Sequence, residues 1–301
     1  MKKQGLIDLH IHSNYSDGAL SPEEIFQEAK NLSLKMISIT DHDTPNDLAV
    51  IQPLVDNNDD YLIYVPGVEV SCTYIDRKSE INHIHILGYG CSDSNYMMKQ
   101  ILEYQKSIRV KVNKQYIETL ISIFPELTEE LFSNLNCSQY FRLTRAIISN
   151  LNSRGLSKNI ISEVEKYCNK QYPIYKEYDV DSKETIDAII NANGIPILAH
   201  PLDYDLREVD VKRLIKSMLD AGVEGFEAYS STYTHEEMKH LRMMAESYKV
   251  LYSCGSDFHF RSNDSKMKVI GYGIDNNLCQ ENTSLSDEIL KRSLQLKKVG
   301  Q

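Results

Sequence analysis

The sequence repeatedly places histidine or carboxylate residues within or just after short apolar segments that have the composition of buried strands. In the first such segment, residues 6–12, leucine and isoleucine alternate with Asp8, His10 and His12. Alternate side chains of a strand point to the same face, so one acid and two imidazoles would lie side by side. Buried imidazoles need partners.

Segments with strong helix signals separate these apolar stretches. Ser21, Pro22 and Glu24 together form a capping box with proline at the first helical position, and Thr234 with Glu237 forms a second capping box. Alternation of strands and helices predicts an α/β fold with a parallel sheet and right-handed crossovers.

The polar residues are predicted to lie at the carboxyl ends of separate strands. Barrel enzymes place their chemistry on the rim that these strand ends form, which favours a barrel over an open sheet. The residues concerned are His10, His12, Asp41, His42, Glu69, His85, His200, Asp257 and His259.

A long helical stretch interrupts this alternation. Apolar residues between positions 98 and 121 have helical spacing over about seven turns, and two further helical segments follow. We therefore predict a barrel domain formed by residues 1–94 and 181–301, with residues 95–180 inserted as a helical subdomain near the strand-end rim.

Composition excludes some classes of protein. No segment approaches the roughly 18 apolar residues that a membrane span requires, and no secretory signal is evident, so a cytoplasmic location without membrane partners is predicted. The net charge of −10 disfavours a binder of long nucleic acid. The oligomeric state is left open.

The histidines and carboxylates point to bound metal. Imidazole together with carboxylate suits Mn, Fe or Zn, and the set lacks the cysteines of a structural zinc site. Nine candidate ligands exceed what one ion accepts, which predicts two or three divalent ions. The candidate metal ligands are His10, His12, Asp17, His42, Glu69, His85, His200, Asp257 and His259.

Six ordered motifs resemble those of the PHP family, which is named for DNA polymerase and histidinol phosphatase. The motifs are "DLHIHSNYSDG", "ITDHDT", "PGVEVS", "HILGYG", "LAHP" and "GSDFH", and they lie on both sides of the helical stretch. More narrowly, the chain is similar to a branch whose members remove the 3′-phosphate of nucleoside 3′,5′-bisphosphates and in some cases trim short RNA from its 5′ end.

The resemblance implies a distorted (β/α)7 TIM-like barrel, with an inserted helical subdomain and a site for three metal ions. It assigns one ion to His10, His12, Glu69 and Asp257, a second to Glu69, His85 and His200, and a third to Asp17, His42 and His259. His83 could exchange roles with His85, because the two share a strand face. Asp8, Asp41 and Asp43 are expected to orient the imidazoles.

The function this implies is a metal-dependent phosphoesterase that hydrolyses a phosphate monoester of a small metabolite. A nucleotide such as a nucleoside 3′,5′-bisphosphate or AMP is the expected substrate, attacked by hydroxide that bridges the metal ions. The residues expected to carry catalysis are Asp257, His42, Glu69 and His200. The alternatives are histidinol phosphate as substrate, 5′-3′ exonuclease action on short RNA, and a non-catalytic PHP interaction module.

Arginines are expected to complete the phosphate pocket, because the planar guanidinium matches phosphate oxygens. Arg145 aligns with the last arginine of a motif in the insertion of the branch, but Tyr140 and Arg142 depart from that motif. Arg142 and Arg261 are further candidates for substrate binding. Arg145 could equally occupy a solvated helix position.

Overall fold

The structure, a computed structural model, divides into two compact units. The sheet unit comprises the described residues of Met1–Leu102 and Val180–Gln301, and the helical unit comprises those of Glu103–Asp179. The described residues are 6–44, 48–58, 61–75, 81–91, 95–133, 143–170, 180–204, 206, 208–259, 270–271 and 283–298.

Nine strands form two sheets in the described part of the sheet unit. One sheet has the order β1-β2-β3, and the other has the order β6-β4-β5-β7-β8-β9. The strands are β1 (Ile7–Ile11), β2 (Met36–Ile39), β3 (Ile63–Tyr64), β4 (Gly67–Ile75), β5 (Ile81–Tyr89), β6 (Val180–Asp181), β7 (Ile195–Leu198), β8 (Gly225–Ser230) and β9 (Leu251–Gly255).

Ten helices accompany these strands among the described residues. The helices are α1 (Pro22–Asn31), α2 (Leu48–Asp56), α3 (Tyr96–Ile123), α4 (Glu129–Phe132), α5 (Leu143–Ser153), α6 (Lys158–Lys170), α7 (Ser182–Asn191), α8 (Glu208–Ala221), α9 (His235–Tyr248) and α10 (Ser284–Arg292). The α/β class predicted from the sequence is confirmed.

The pairing of β5 departs from the predicted parallel sheet. β5 runs antiparallel to both β4 and β7, whereas the other strand pairs are parallel. Only residues 76–80 separate β4 from β5, which is too few for the crossover connection that a parallel pair requires. The closed seven-stranded barrel stays a prediction.

Two isolated bridges link the two sheets at the places where polar residues were expected. Ile11 pairs with Phe258, and His42 pairs with Glu69, both in parallel orientation. All five residues of β1 are buried. The polar face of β1 is therefore enclosed as fully as its apolar face.

Both units have apolar cores of their own. In the sheet unit, Ile7 and Leu9 of β1 pack in one buried cluster with Leu87 of β5 and Ile197 of β7. The two sheets thus share a core, which fixes the ends of β1 against those of the larger sheet. In the helical unit, the core is formed by α3, α4, α5 and α6 and includes Leu120, Leu143, Ile147 and Val164.

No helix in the described part of the chain combines the length and the apolar character needed to cross a membrane.

Both predicted capping boxes are present and define where helices begin. The Ser21 hydroxyl accepts a hydrogen bond from the Glu24 backbone N–H, and the Glu24 carboxylate accepts one from Ser21 N–H at 2.8 Å. Thr234 and Glu237 make the same reciprocal pair at the start of α9. Each box satisfies backbone donors that have no partner inside the helix.

Thr234→Ala should lower the free energy of unfolding by about 1 kcal/mol, because it removes the cap of α9. Urea denaturation measures the change. The matched control is Ser247→Ala near the other end of α9, where the hydroxyl donates to the Met244 carbonyl at 2.8 Å. The control should change stability by less than about 0.5 kcal/mol; equal losses in both variants would show that the cap has no special role.

Candidate metal centre

The buried carboxylate of Glu69 lies at the centre of the histidine cluster. Glu69 is the third residue of β4 and has no solvent-exposed surface. Its Oε2 atom lies 3.3 Å from His10 Nε2, 3.2 Å from His12 Nε2 and 3.0 Å from His42 Nδ1. One carboxylate oxygen thus faces three imidazole nitrogens from two different strand ends.

The other oxygen of Glu69 faces a second pair of histidines. Glu69 Oε1 lies 3.0 Å from His85 Nδ1 and 3.0 Å from His200 Nε2. These two nitrogens are 3.2 Å from each other. The carboxylate therefore connects two sets of imidazoles, as a bridging ligand would.

The contact between Glu69 and His85 depends on an antiparallel strand pairing that was not predicted from the sequence. Both were expected at strand ends, but Glu69 lies near the start of β4 and His85 lies at the centre of β5. Glu69 is paired with Leu87 and Ser71 with His85 in the antiparallel register. Glu69 and His85 are therefore diagonal neighbours on one face of the sheet.

Three groups of side chains have atoms close enough together to hold a metal ion. Within each group the potential ligand atoms lie no more than 4.8 Å apart. The groups are His10, His12, Glu69 and Asp257; His42, Glu69 and His85; and His12, Asp17, His42 and His259.

The first group contains the four residues that the resemblance assigned to one ion. Asp257 Oδ1 closes it at 3.2 Å from His12 Nε2 and 3.5 Å from His10 Nε2. The third group contains the predicted Asp17, His42 and His259, with His259 Nε2 3.1 Å from Asp17 Oδ2, and adds His12.

The second group differs in one residue from the predicted set. His42 joins Glu69 and His85 within the common distance. The predicted third member, His200, lies beside Glu69 Oε1 and His85 Nδ1, as described above. All nine predicted ligand residues therefore lie in one continuous cluster.

These residues fit divalent metal ions. Neighbouring ligand atoms at about 2.0–2.2 Å from one ion lie about 2.8–3.6 Å from each other in octahedral or tetrahedral geometry. Most contacts in the cluster have that length. Among the described residues, the buried atoms Glu69 Oε2 and His12 Nδ1 make no hydrogen bond of acceptable geometry. Their surroundings suit a cation rather than a hydrogen-bond partner, and the imidazole–carboxylate set suits Mn, Fe or Zn.

The electrostatics favour the metal-binding forms of Glu69 and His85, whereas nearby carboxylates outweigh burial and raise the pKa of His10, His12 and His200. Burial by itself would raise the pKa of the Glu69 carboxyl, but the charges of His42, His10 and His85 outweigh it and hold that pKa well below its usual range. Burial lowers the pKa of His85 to about 4 despite the nearby Glu69 carboxylate. An ionised carboxylate and a neutral imidazole are the ligand forms of these residues.

Two residues of the cluster have unusual backbone conformations. His200 has φ of +22° and Asp257 has φ of +49°, in the region that favours glycine. Each such conformation costs on the order of 1–3 kcal/mol of folding free energy. It persists only where surrounding contacts hold the residue in it. Strain of this kind is concentrated at functional sites.

Three aspartates that were predicted to orient imidazoles are buried beside the cluster. They accept hydrogen bonds from backbone amides and serine hydroxyls, since the backbone at strand ends needs acceptors. Asp8 accepts from Ser256 N–H at 2.9 Å and Gly271 N–H at 2.8 Å, Asp41 from Ser13 N–H at 2.8 Å, and Asp43 from Ser71 N–H at 2.8 Å and the Ser71 hydroxyl at 3.0 Å.

A further carboxylate that contacts an imidazole, Glu227, was not among the predicted site residues. Glu227 lies in β8 with Oε1 3.0 Å from His10 Nδ1, and its Oε2 accepts a hydrogen bond from the His200 backbone N–H at 2.7 Å. A carboxylate between Phe226 and Ala228 in an apolar strand was the available signal, the same signal that singled out Asp8 and Glu69.

The remaining predicted site residues are placed as follows. His83 Nε2 lies 2.8 Å from His85 Nε2, on the side of the His85 ring opposite Glu69. Arg145 belongs to α5 of the helical unit. Arg142 and Arg261 lie outside the described residues.

A buried cluster of imidazoles and carboxylates in an α/β fold suits a metal-dependent enzyme, and hydrolases are one class that uses such a site. Residues 8–256 match the PHP domain model, and the chain belongs to this family. It is a metal-dependent phosphoesterase of the PHP family, an enzyme of the hydrolase class.

Three known proteins illustrate the similarity. A 3′,5′-nucleoside bisphosphate phosphatase from Chromobacterium violaceum is 28% identical over 84% of this chain and 87% of its own. A 5′-3′ exoribonuclease from Haemophilus influenzae is 27% identical over 84% of this chain and 89% of its own. A solved structure of an amidohydrolase from Chromobacterium violaceum, with bound sulfate and no metal, has a TM-score of 0.75 at 24% identity and covers 98% of this chain and 99% of its own.

The purified protein should carry two or three transition-metal ions per chain, measured by elemental analysis after dialysis. Asp17→Asn should lower this number by one, because Asp17 belongs to one group, whereas Glu69→Gln should lower it further, because Glu69 belongs to two. The control is Asp220→Asn, which changes an exposed carboxylate paired with Lys216 on α8. A single ion that survives the loss of Glu69 would contradict the shared centre.

Proposed function

We propose that the chain hydrolyses the phosphate monoester of a small nucleotide, with a nucleoside 3′,5′-bisphosphate as the first candidate and AMP as another. The observation that carries this proposal is that two of the three candidate metal groups share one buried carboxylate, Glu69, while the third group shares His12 and His42 with them. We further propose that the groups hold two or three ions of Mn, Fe or Zn, and that the two sheets are parts of a distorted seven-stranded barrel.

The side chains of the centre would act mainly by holding and shielding the reacting groups. Bound divalent ions supply Lewis-acid polarisation of phosphoryl oxygens and lower the pKa of water. Glu69, Asp257, His42 and His200 would fix the ions, with Glu69 shared between neighbouring groups. Because these side chains are almost completely buried, bulk water screens their charges little, which would strengthen the attraction of the two carboxylates for bound cations.

The substrate class is inferred from relatives. The Chromobacterium violaceum relative is named for nucleoside bisphosphates and aligns over 84% of this chain. The structural relative carries sulfate, which has the tetrahedral shape and negative charge of phosphate. The name of the first relative supports a phosphorylated nucleoside as substrate, and the sulfate of the second supports only a tetrahedral anionic group.

A second candidate activity is 5′-3′ trimming of short RNA. The Haemophilus influenzae relative, named as a 5′-3′ exoribonuclease, favours this reading. The net charge of −10 opposes tight binding of long strands, so a short oligonucleotide is the candidate substrate of this kind.

The helical unit is proposed to select the substrate. Metal ions contact only phosphoryl oxygens and the attacking water, so they treat all phosphoryl groups alike. Discrimination requires contacts with the rest of the molecule. We propose that Arg145, with Arg142 and Arg261, supplies such contacts, since a guanidinium can hold a second phosphate through two hydrogen bonds.

The proposal is tested with a panel of phosphorylated metabolites assayed with Mn²⁺. The panel contains nucleoside 3′,5′-bisphosphates, 5′-monophosphates, histidinol phosphate and short 5′-phosphorylated RNA. Asp257→Asn and His42→Ala should each lower turnover of the preferred substrate by more than about 100-fold, because even outer partners of metal ligands contribute about 10- to 100-fold. Circular dichroism should show a retained fold. Near-parental turnover in either variant would remove that residue from the centre.

Arg145→Ala should lower kcat/KM for a nucleoside 3′,5′-bisphosphate by about 10- to 100-fold, the value of a lost charged hydrogen bond. Hydrolysis of an aryl phosphate without a second phosphate should be unchanged. The control is Arg154→Ala, which removes an exposed arginine just after α5. Equal losses on both substrates would place Arg145 at the reacting phosphate, and no loss on either would place it on a solvated surface.

A further inference from the structure

Glu227 contacts two of the histidines that surround Glu69 but belongs to none of the three candidate metal groups. Its side chain is buried, with 1% exposed, and each of its oxygens faces a different histidine. Oε1 lies 3.0 Å from His10 Nδ1, and Oε2 accepts the His200 backbone N–H at 2.7 Å. A buried carboxylate is tolerated only where such partners compensate for the lost water.

The end of β9 is shaped to admit the pair of Glu227 and His10. A Cβ atom on Gly255 would lie 2.1 Å from His10 Cβ and 2.9 Å from Glu227 Oε1. Any other residue at position 255 would clash with His10 at its Cβ atom and crowd the Glu227 carboxylate. The close approach of the three segments therefore depends on glycine at this position.

The contact with His200 holds a strained part of the backbone. His200 has φ of +22°, a conformation that residues other than glycine rarely adopt. The hydrogen bond from its N–H to Glu227 restrains this peptide. Glu227 thus connects the conformation of His200 with the orientation of His10.

We propose that Glu227 is a positioning residue that keeps a proton on His10 Nδ1 and thereby presents His10 Nε2 as the metal ligand. An ionised carboxylate can only accept hydrogen bonds, so the nitrogen facing it carries the proton. His10 Nε2 then points at Glu69 Oε2 and Asp257 Oδ1, at 3.3 and 3.5 Å. This inference rests on the proposed metal-dependent function.

Glu227→Gln tests the proposal with almost no change in shape. The His200 N–H can only donate, so it requires the amide oxygen of the glutamine to face it. The amide NH2 group must then face His10 Nδ1, where it requires an unprotonated nitrogen. The neutral imidazole carries its proton on Nε2 instead, which blocks the nitrogen that faces the metal group.

The first measurement is Zn²⁺ binding to the metal-free full-length protein by calorimetry. Glu227→Gln should lower the Zn²⁺ affinity of the site that contains His10 by about 10- to 100-fold. Glu227→Ala should lower this affinity by no more than Glu227→Gln does, because alanine does not force His10 into either tautomer. The matched control is Glu224→Gln, three residues upstream, where the carboxylate pairs with Arg292 at 2.6 and 2.9 Å away from the cluster. The control should bind Zn²⁺ as the parent does.

The second measurement is ¹⁵N NMR of histidine side chains, which needs no variant to test the proposal. His10 Nδ1 of the parent should carry a proton in both the metal-free and the Zn²⁺-loaded protein, and Glu227→Gln should lack it. A parent without a proton on His10 Nδ1 would overturn the proposal.

Near-parental Zn²⁺ binding by Glu227→Gln, together with weak binding by Glu227→Ala, would also overturn it by showing that Glu227 merely fills space. A parent that binds no divalent metal would overturn the proposed function, whereas the proton on His10 Nδ1 would still decide the role of Glu227.

Discussion

The burial of the Glu69 carboxylate among imidazoles is the interaction on which the rest of the site depends. Moving a carboxylate out of water costs several kcal/mol, and at Glu69 the surrounding imidazoles or bound metal must offset that cost. Five imidazole nitrogens lie within 3.3 Å of its two oxygens. They come from β1, the end of β2, β5 and the end of β7, so both sheets must be correctly aligned before the carboxylate is compensated.

That alignment explains the mixed topology of the sheet unit. A purely parallel sheet would bring side chains together only at strand ends, whereas the antiparallel β5 brings the middle of a strand beside Glu69. The bridge between His42 and Glu69 joins the smaller sheet to the larger at the same point. The cluster is therefore enclosed by backbone on several sides, which also accounts for its low exposure.

The sequence predicted the members of the cluster better than their surroundings. His10 and His12 could be found because a strand alternates its faces, and both capping boxes could be found because their signals are local. The antiparallel β5 depends on pairing between distant segments, which no local pattern reveals. Glu227 was missed although an acid within an apolar strand was also the signal for Glu69, and the backbone partners of the three aspartates are set by tertiary structure, which no local pattern reveals.

The same distinction separates the chemistry of this protein from its choice of substrate. Metal ligands are constrained by distances of a few ångströms and by protonation, so they leave a strong pattern in the sequence. Contacts with the rest of a substrate have no fixed spacing, and a single arginine on a helix looks like any solvated residue. The net charge of −10 connects the metal ligands with substrate binding. Clustered carboxylates contribute to that charge, and bound divalent ions would offset part of it where an anionic substrate must approach.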